Sequence, residues 1–180
     1  MNEILYHTNY LDLKATATSR GTQWVYAHRP NAKDVVVVLP ITDDEILFVI
    51  EERPPIQAEQ KGTYTIGLVA GLVGDERINE TIEDAIQAEL LEEAGLNADR
   101  FEIKAKKVAS SPGCVSETCI IAKAYIRNKE IVKEPVDDGG IIVERVWVKK
   151  NEVHTWLAKK EKEGYVLTAH TLAALFYLYE

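Results

Sequence analysis

At 180 residues, 46% apolar and 28% charged, the chain has the size and composition of one globular domain with one substantial core. Its formal net charge of −8 argues against broad binding to nucleic acid or anionic membranes, which hold proteins through Lys/Arg fields. No apolar run reaches the ~20 residues of a membrane-spanning helix, and the N-terminal stretch lacks the basic start and apolar block of a signal peptide. Cys114 and Cys119 stand without a second pair, so neither a zinc site nor a disulfide framework is expected. A cytoplasmic protein with free thiols is the expectation.

In chain order, Leu5–Tyr10, Leu11–Ala17 and Gln23–Arg29 read as short strands, with Ser19-Arg20-Gly21 as a turn. Trp24, in the third, suits a core, an interface or a base-stacking role. Asp34–Ile41 (DVVVVLPI) is a β-branched run expected to be a strand buried on both faces. Glu45–Glu51 is expected to be its hairpin partner, ended by Pro54-Pro55, with Arg53 just before them. Ile56–Tyr64 reads as a loop, and Thr65–Val73 is apolar and glycine-rich. After the helix described next, Phe101–Ala109, Thr118–Ile126 and Ile141–Lys149 are expected strands. The turn Ser110-Ser111-Pro112-Gly113 separates the first two. Asn151–Glu163 and Thr168–Tyr179 are expected helices, with apolar stripes of Val153, Trp156 and Leu157, and of Leu172, Leu175, Phe176 and Tyr179. This order implies a mixed α/β domain with helices on both faces of a sheet.

The stretch Gly74–Leu96 (GDERINETIEDAIQAELLEEAGL) carries the chemistry. Ile82, Ala85, Ile86 and Leu90 give a helical apolar stripe, Asn79 or Thr81 can cap its start, Thr81-x-x-Asp84 is near a capping box, and Gly95 suits its C-terminal turn. Glu89, Glu92 and Glu93, spaced i, i+3, i+4, leave one face of that helix. Like charges at this spacing repel by roughly 0.2–0.5 kcal/mol per pair, so the cluster makes sense when a cation sits on it. Grouped hard oxygen donors suit Mg²⁺ or Mn²⁺.

The same stretch resembles the signature of the Nudix hydrolases, G-x5-E-x7-R-E-U-x-E-E-x-G-U, with U a bulky aliphatic residue. Gly74 is followed after five residues by Glu80, and after seven more by Ala88-Glu89-Leu90-Leu91-Glu92-Glu93-Ala94-Gly95-Leu96. Every specified position fits except Ala88, which stands where the family has Arg. Pro112 follows Leu96 by sixteen positions, inside Ser-Pro-Gly and shortly before Ser116-Glu117. That is similar to the marker of the ADP-ribose pyrophosphatase subgroup. Ala70-Gly71 resembles the subgroup's Pro-Ala-Gly loop, with Val69 in place of Pro and Gly67 where Glu is usual. Gly71 and Gly74 therefore compete for the signature glycine, and Gly71 is preferred.

The resemblance implies a Nudix-type α/β/α sandwich around a mixed sheet over residues 34–180, with residues 1–33 as a small N-terminal antiparallel sub-sheet used in a homodimer. It implies Mg²⁺-dependent (or Mn²⁺-dependent) hydrolysis of the pyrophosphate of a nucleoside diphosphate linked to another moiety, ADP-ribose foremost. The metal would be held by Glu89, Glu93, Glu80 and the Ala70 carbonyl. Catalysis would fall to Glu92, Glu93 and the loop acid Asp137, with Asp138 and Glu144 as rivals for the last role. Substrate contacts would come from Arg53, Pro112, Glu117 and Trp24. A different nucleotide substrate, or a nucleotide-sensing module with weak or no turnover, is the alternative that Ala88 keeps open.

Overall fold

Val36 to Leu39 are all buried, because their strand is covered on both faces and has neighbours on both edges. This strand, β4 (Asp34–Ile41), is the centre of the structure, a computed structural model describing residues 3–31, 34–61, 63–74, 80–135 and 141–180. Before it come β1 (Glu3–His7), β2 (Asp12–Ala17) and β3 (Gln23–His28), an antiparallel three-stranded sheet of its own. After it come β5 (Glu45–Glu52), α1 (Pro54–Glu59), β6 (Thr65–Gly67), β7 (Val69–Val73) and α2 (Ile82–Ala94). β8 (Arg100–Ala109), β9 (Thr118–Tyr125), β10 (Ile141–Lys149), α3 (Val153–Lys162), β11 (Val166–Leu167) and α4 (Ala169–Leu175) complete the chain.

The large sheet runs β11-β6-β5-β4-β9-β8, with β10 also paired to β5 and β7 to β4. β4 and β5 are not the full hairpin that the sequence suggests. They pair only at Ile41↔Ile46 beside their turn and then part. The chain from Thr65 to Val73 crosses the gap, lying first on β5 as β6 and then on β4 as β7. β4 takes β9 as a parallel partner on its other edge. The parting of β4 from β5 opens the cleft in which the site lies.

Two cores flank the sheet. On one face α2 lays Ala85, Ile86, Leu90 and Ala94 on Val36, Val38, Val49 and Val69. On the other, Val153 and Leu157 of α3 and Ala174 near the end of α4 cover Val37, Phe48 and Ile66. Trp156 adds a ring contact to Phe48 at 5.0 Å. Thr81, not Asn79, caps α2; Asn79 lies outside the described residues. The Thr81 hydroxyl accepts from the Asp84 N–H at 3.1 Å, and the Asp84 carboxylate accepts from the Thr81 N–H at 3.2 Å. Gly95 ends the helix in the left-handed region at φ 70°.

Two further expectations are corrected. The expected loop after Arg53 begins with α1, because prolines at the first two helical positions lack an N–H that a helix start leaves unused. The stripe expected on the last helix is corrected in part: Leu175 packs against the core, but Leu172, Phe176 and Tyr179 are exposed, while Thr171, Ala174 and Leu178 are buried. The helix stops at Leu175, so a helical spacing carried on to Tyr179 does not describe the face beyond it. Among the described residues no helix is long and apolar enough to cross a membrane.

Candidate active site

β7 and α2 build the site by close approach. A Cβ on Gly71 would lie 1.6 Å from Glu89 Oε1, so the carboxylate of Glu89 occupies the space that glycine leaves. One turn on, Glu93 Oε2 accepts a hydrogen bond from the Ala70 N–H at 3.1 Å. Glu80 Oε2 accepts from the Gly74 N–H at 2.9 Å, at a turn that needs φ 79°. The competition between the two glycines thus has a structural answer. Gly71 admits Glu89 and Gly74 ties down Glu80. Glu92, half-buried, makes no hydrogen bond or ion pair with a described residue.

Burial pushes the Glu93 carboxyl from its ordinary 4.5 up to about 8, with Glu89 the next cause; the Ala70 N–H acts against them, Glu51 adds to the rise, and Arg53 opposes it. The linkage has a definite sign. Below pH 4.5 the group is protonated in both states; between there and pH 8 only the unfolded chain releases the proton; above pH 8 both have done so. Protein freed of divalent ions is therefore expected to lose stability as pH rises from about 5 to 8, by up to a few kcal/mol. Thermal unfolding in a chelator, wild type against Glu93→Gln, reads this directly. Parallel pH profiles for the two proteins would refute it.

Beside Glu93 lies a second charged arrangement. Glu51 is buried on β5, with Arg53 Nη2 2.7 Å from its Oε2 and the Thr65 hydroxyl donating to its Oε1 at 3.3 Å. Gly67, across from Val49 in the β5–β6 register, leaves room: a Cβ there would come within 3.1 Å of Glu51 Oε1. Glu51 thereby fixes the guanidinium of Arg53, whose side chain stays 47% exposed and keeps donors for a ligand.

These groups border a cavity of about 670 Å³ in the cleft between the separated strands. Ala70, Gly71, Arg53, Arg29, Glu117 and His170 all line it. Arg29 reaches it from the end of β3. Its Nε lies 2.7 Å from Glu117 Oε2 without hydrogen-bond alignment, so the contact is an ion pair and leaves that oxygen buried with no donor aimed at it. The loop before Glu117 hangs on β3. The Ala27 N–H donates to Cys114 O at 2.7 Å, the Ser116 N–H to Ala27 O at 3.1 Å, and Trp24 Nε1 to Gly113 O at 2.9 Å. Trp24 and Pro112 do not line the cavity; Trp24 fastens the loop that contains Pro112. Arg29 and His170 belong to no motif and carry no sequence signal, and Glu51 stands in Glu51-Glu52-Arg53, where the resemblance points to the Arg alone.

Asp137 and Asp138 lie outside the described residues. Glu144 is exposed on β10, opposite Ile50, away from the cavity. Ala88 brings no charge to α2, and the helix has no basic residue in its last turn. The guanidinium of Arg145, from β10, donates instead to the Glu93 carbonyl. Among the described residues no three His, Cys, Asp or Glu side chains form a ready-made metal cluster. Glu89 and Glu93 nevertheless converge on Ala70–Gly71, and the carboxylate of Glu93 is hard to ionise there alone. Two carboxylates and a nearby carbonyl fit Mg²⁺, which keeps several waters and shares its shell with substrate phosphates.

No family model matches the chain, and no curated protein does. Among solved structures, one described as an ADP compounds hydrolase is similar over 98% of this chain and 88% of its own, with a TM-score of 0.71 and 21% identity. That likeness shows the fold. The chain has an α/β architecture with a mixed, curled sheet, helices on both faces and a small antiparallel three-stranded sheet, consistent with the Nudix-type fold.

Proposed function

We propose that the protein hydrolyses the pyrophosphate of a nucleoside diphosphate linked to another moiety, ADP-ribose or a nucleoside diphosphate sugar, giving a nucleoside monophosphate and a sugar phosphate. The observation that carries this reading is the convergence of Glu89 and Glu93 on Ala70–Gly71 at the edge of a cavity that also presents Arg53. The solved ADP compounds hydrolase of similar fold supports it. Glu89, Glu93, Glu80 and the Ala70 carbonyl would hold Mg²⁺ or Mn²⁺. The ion supplies charge neutralisation at the diphosphate, where positioning and electrostatics are most of what phosphoryl transfer needs.

The protein's own residues do the rest. Arg53, held by Glu51, orients a phosphate. Glu92 and Glu93, with Asp137, are the carboxylates assigned to take the proton of the attacking water as one P–O bond forms and the bridging P–O bond breaks. Glu117, Pro112 and Trp24 are assigned to the substrate side, directly or by shaping the loop. The exposed apolar side chains of the N-terminal sheet, Ile4, Tyr6, Leu13 and Val25 among them, suit the pairing of two copies.

The test incubates purified protein with Mg²⁺ or Mn²⁺ and a panel of ADP-ribose, other diphosphate sugars, dinucleotides and triphosphates. A metal-dependent monophosphate product from ADP-ribose or a diphosphate sugar is expected. No product from any member would sink the reading and favour a nucleotide-binding module without turnover, the alternative consistent with Ala88. Arg53→Ala is expected to raise KM by ~10–100-fold, the loss of a charge-assisted contact. Glu51→Gln is expected to give part of that loss by releasing the guanidinium. Unchanged KM in both would remove Arg53 from the substrate site.

A further inference from the structure

His170 is a polar group in the cavity that the proposed reaction leaves unused. It stands in the first turn of α4 on the wall formed by Val166–His170, half-buried. Its ring makes no hydrogen bond, ion pair or ring contact with any described residue. The neighbouring Thr168 hydroxyl is occupied, paired with Thr171 Oγ1 at 2.8 Å and accepting from the Thr171 N–H. The wall therefore offers one unpaired polar side chain, among the apolar groups of Val35, Val37 and Leu167. The half-buried ring lines the cavity, where a ligand with hydroxyl or ring-nitrogen groups can take the place of water as its hydrogen-bond partner.

The charges around the cavity fall into two groups. Arg53 and Glu51 both act on Glu93, and so belong with the helix carboxylates. His170 belongs with Glu117, whose charge reaches it, and Glu117 is already paired with Arg29. Burial pushes the His170 imidazole down, which favours its neutral form with one donor and one acceptor. A phosphate beside Glu117 would meet a carboxylate and no spare cation among these three groups. An uncharged moiety with hydroxyl or ring-nitrogen groups would meet apolar walls and a matching imidazole.

Resting on the hydrolase reading above, we propose that His170 is a specificity-determining residue that hydrogen-bonds the uncharged sugar joined to the nucleoside diphosphate at its far phosphate. The wall would thereby select a diphosphate flanked by two organic groups over a nucleoside triphosphate.

Binding and turnover test this separately. Calorimetric titration of ADP-ribose, ADP and ATP, with Ca²⁺ replacing Mg²⁺ to limit turnover, gives Kd for wild type, His170→Ala and His170→Asn, with thermal unfolding to confirm that each folds. His170→Ala is expected to weaken ADP-ribose about fivefold to tenfold, the loss of one hydrogen bond, and ATP less than twofold. His170→Asn, which keeps a donor and an acceptor, is expected to recover at least half of the loss. Steady-state KM for ADP-ribose with Mg²⁺ should rise in parallel, with kcat within threefold. Equal Kd values for ADP-ribose in wild type and His170→Ala would overturn the assignment, as would equal weakening of ATP and ADP-ribose. Wild-type binding without hydrolysis would remove the enzyme reading and leave His170 standing. Absence of ADP-ribose binding by wild type would remove both. ADP, which lacks the second sugar, is expected to change less than about twofold in His170→Ala; a loss for ADP equal to that for ADP-ribose would place His170 on the nucleoside and overturn the assignment.

Discussion

Glu93→Gln is expected to lower kcat by about 10³-fold or more while leaving the protein folded. Glutamine keeps the shape and an acceptor oxygen, so the bond from the Ala70 N–H at 3.1 Å can persist. What disappears is the negative charge, which on the proposed reading both binds the divalent ion and accepts the proton of the attacking water. A loss of about 4 kcal/mol in transition-state stabilisation corresponds to that factor. The stability effect should run the other way. Above pH 8 the wild-type carboxylate is ionised against burial and against Glu89, and the amide has no charge to desolvate. Metal-free Glu93→Gln should therefore melt higher than metal-free wild type at pH 8.5 and near it at pH 4.5. Activity retained at the wild-type rate would mean that the chemistry lies elsewhere. Loss of activity with a lowered melting temperature would indicate damage to the fold.

Gly71→Ala is expected to be the second most damaging change, through a residue with no functional group. The added methyl would fall 1.6 Å from Glu89 Oε1 and 1.9 Å from its Cδ, so the carboxylate has to leave. Glu89 can swing because the clash is with the far end of a flexible side chain, and α2 can stay seated on Val36 and Val69. The expected cost in stability is about 1–3 kcal/mol, as for other overpacking. The expected cost in function is larger, about a hundredfold in kcat/KM, with Mn²⁺ binding weakened at least tenfold by calorimetry. Wild-type Mn²⁺ affinity in this variant would show that Glu89 is not a metal ligand.

Much of this arrangement is legible in the sequence because it is local. Thr81, Asp84 and Gly95 mark the ends of α2 within a single stretch, and three glutamates at helical spacing must share a face. β4 is legible for a similar reason, since a run of valines has no polar side to expose. Glu51 is a different case. On a strand it looks like the end of an apolar run, and its role depends on Thr65 and Gly67 arriving across a register that no local pattern encodes. Arg29 is invisible for the same reason, because β3 meets the loop before Glu117 through Ala27 and Val115, far apart in sequence. The last helix misled because its apolar residues continue past its end at Leu175, where the helical spacing no longer decides which of them are buried. Asn79 and Asp137 gain nothing either way from the described residues.

The two faces of the sheet also divide responsibilities. The carboxylates of α2 sit over the core that contains Val36 and Val69, and the His170 wall sits over the other, with Val37 and Ile66. Their hydrophobic seats share few side chains, so sequence change in one should leave the other's geometry intact, and effects of distant substitutions should add. On the proposed reading, a lineage, or an engineer, could retune what the molecule accepts by rewriting Val166–His170 while the α2 carboxylates are inherited untouched. Selectivity and reactivity would then be separable traits, carried by segments more than seventy residues apart in the chain.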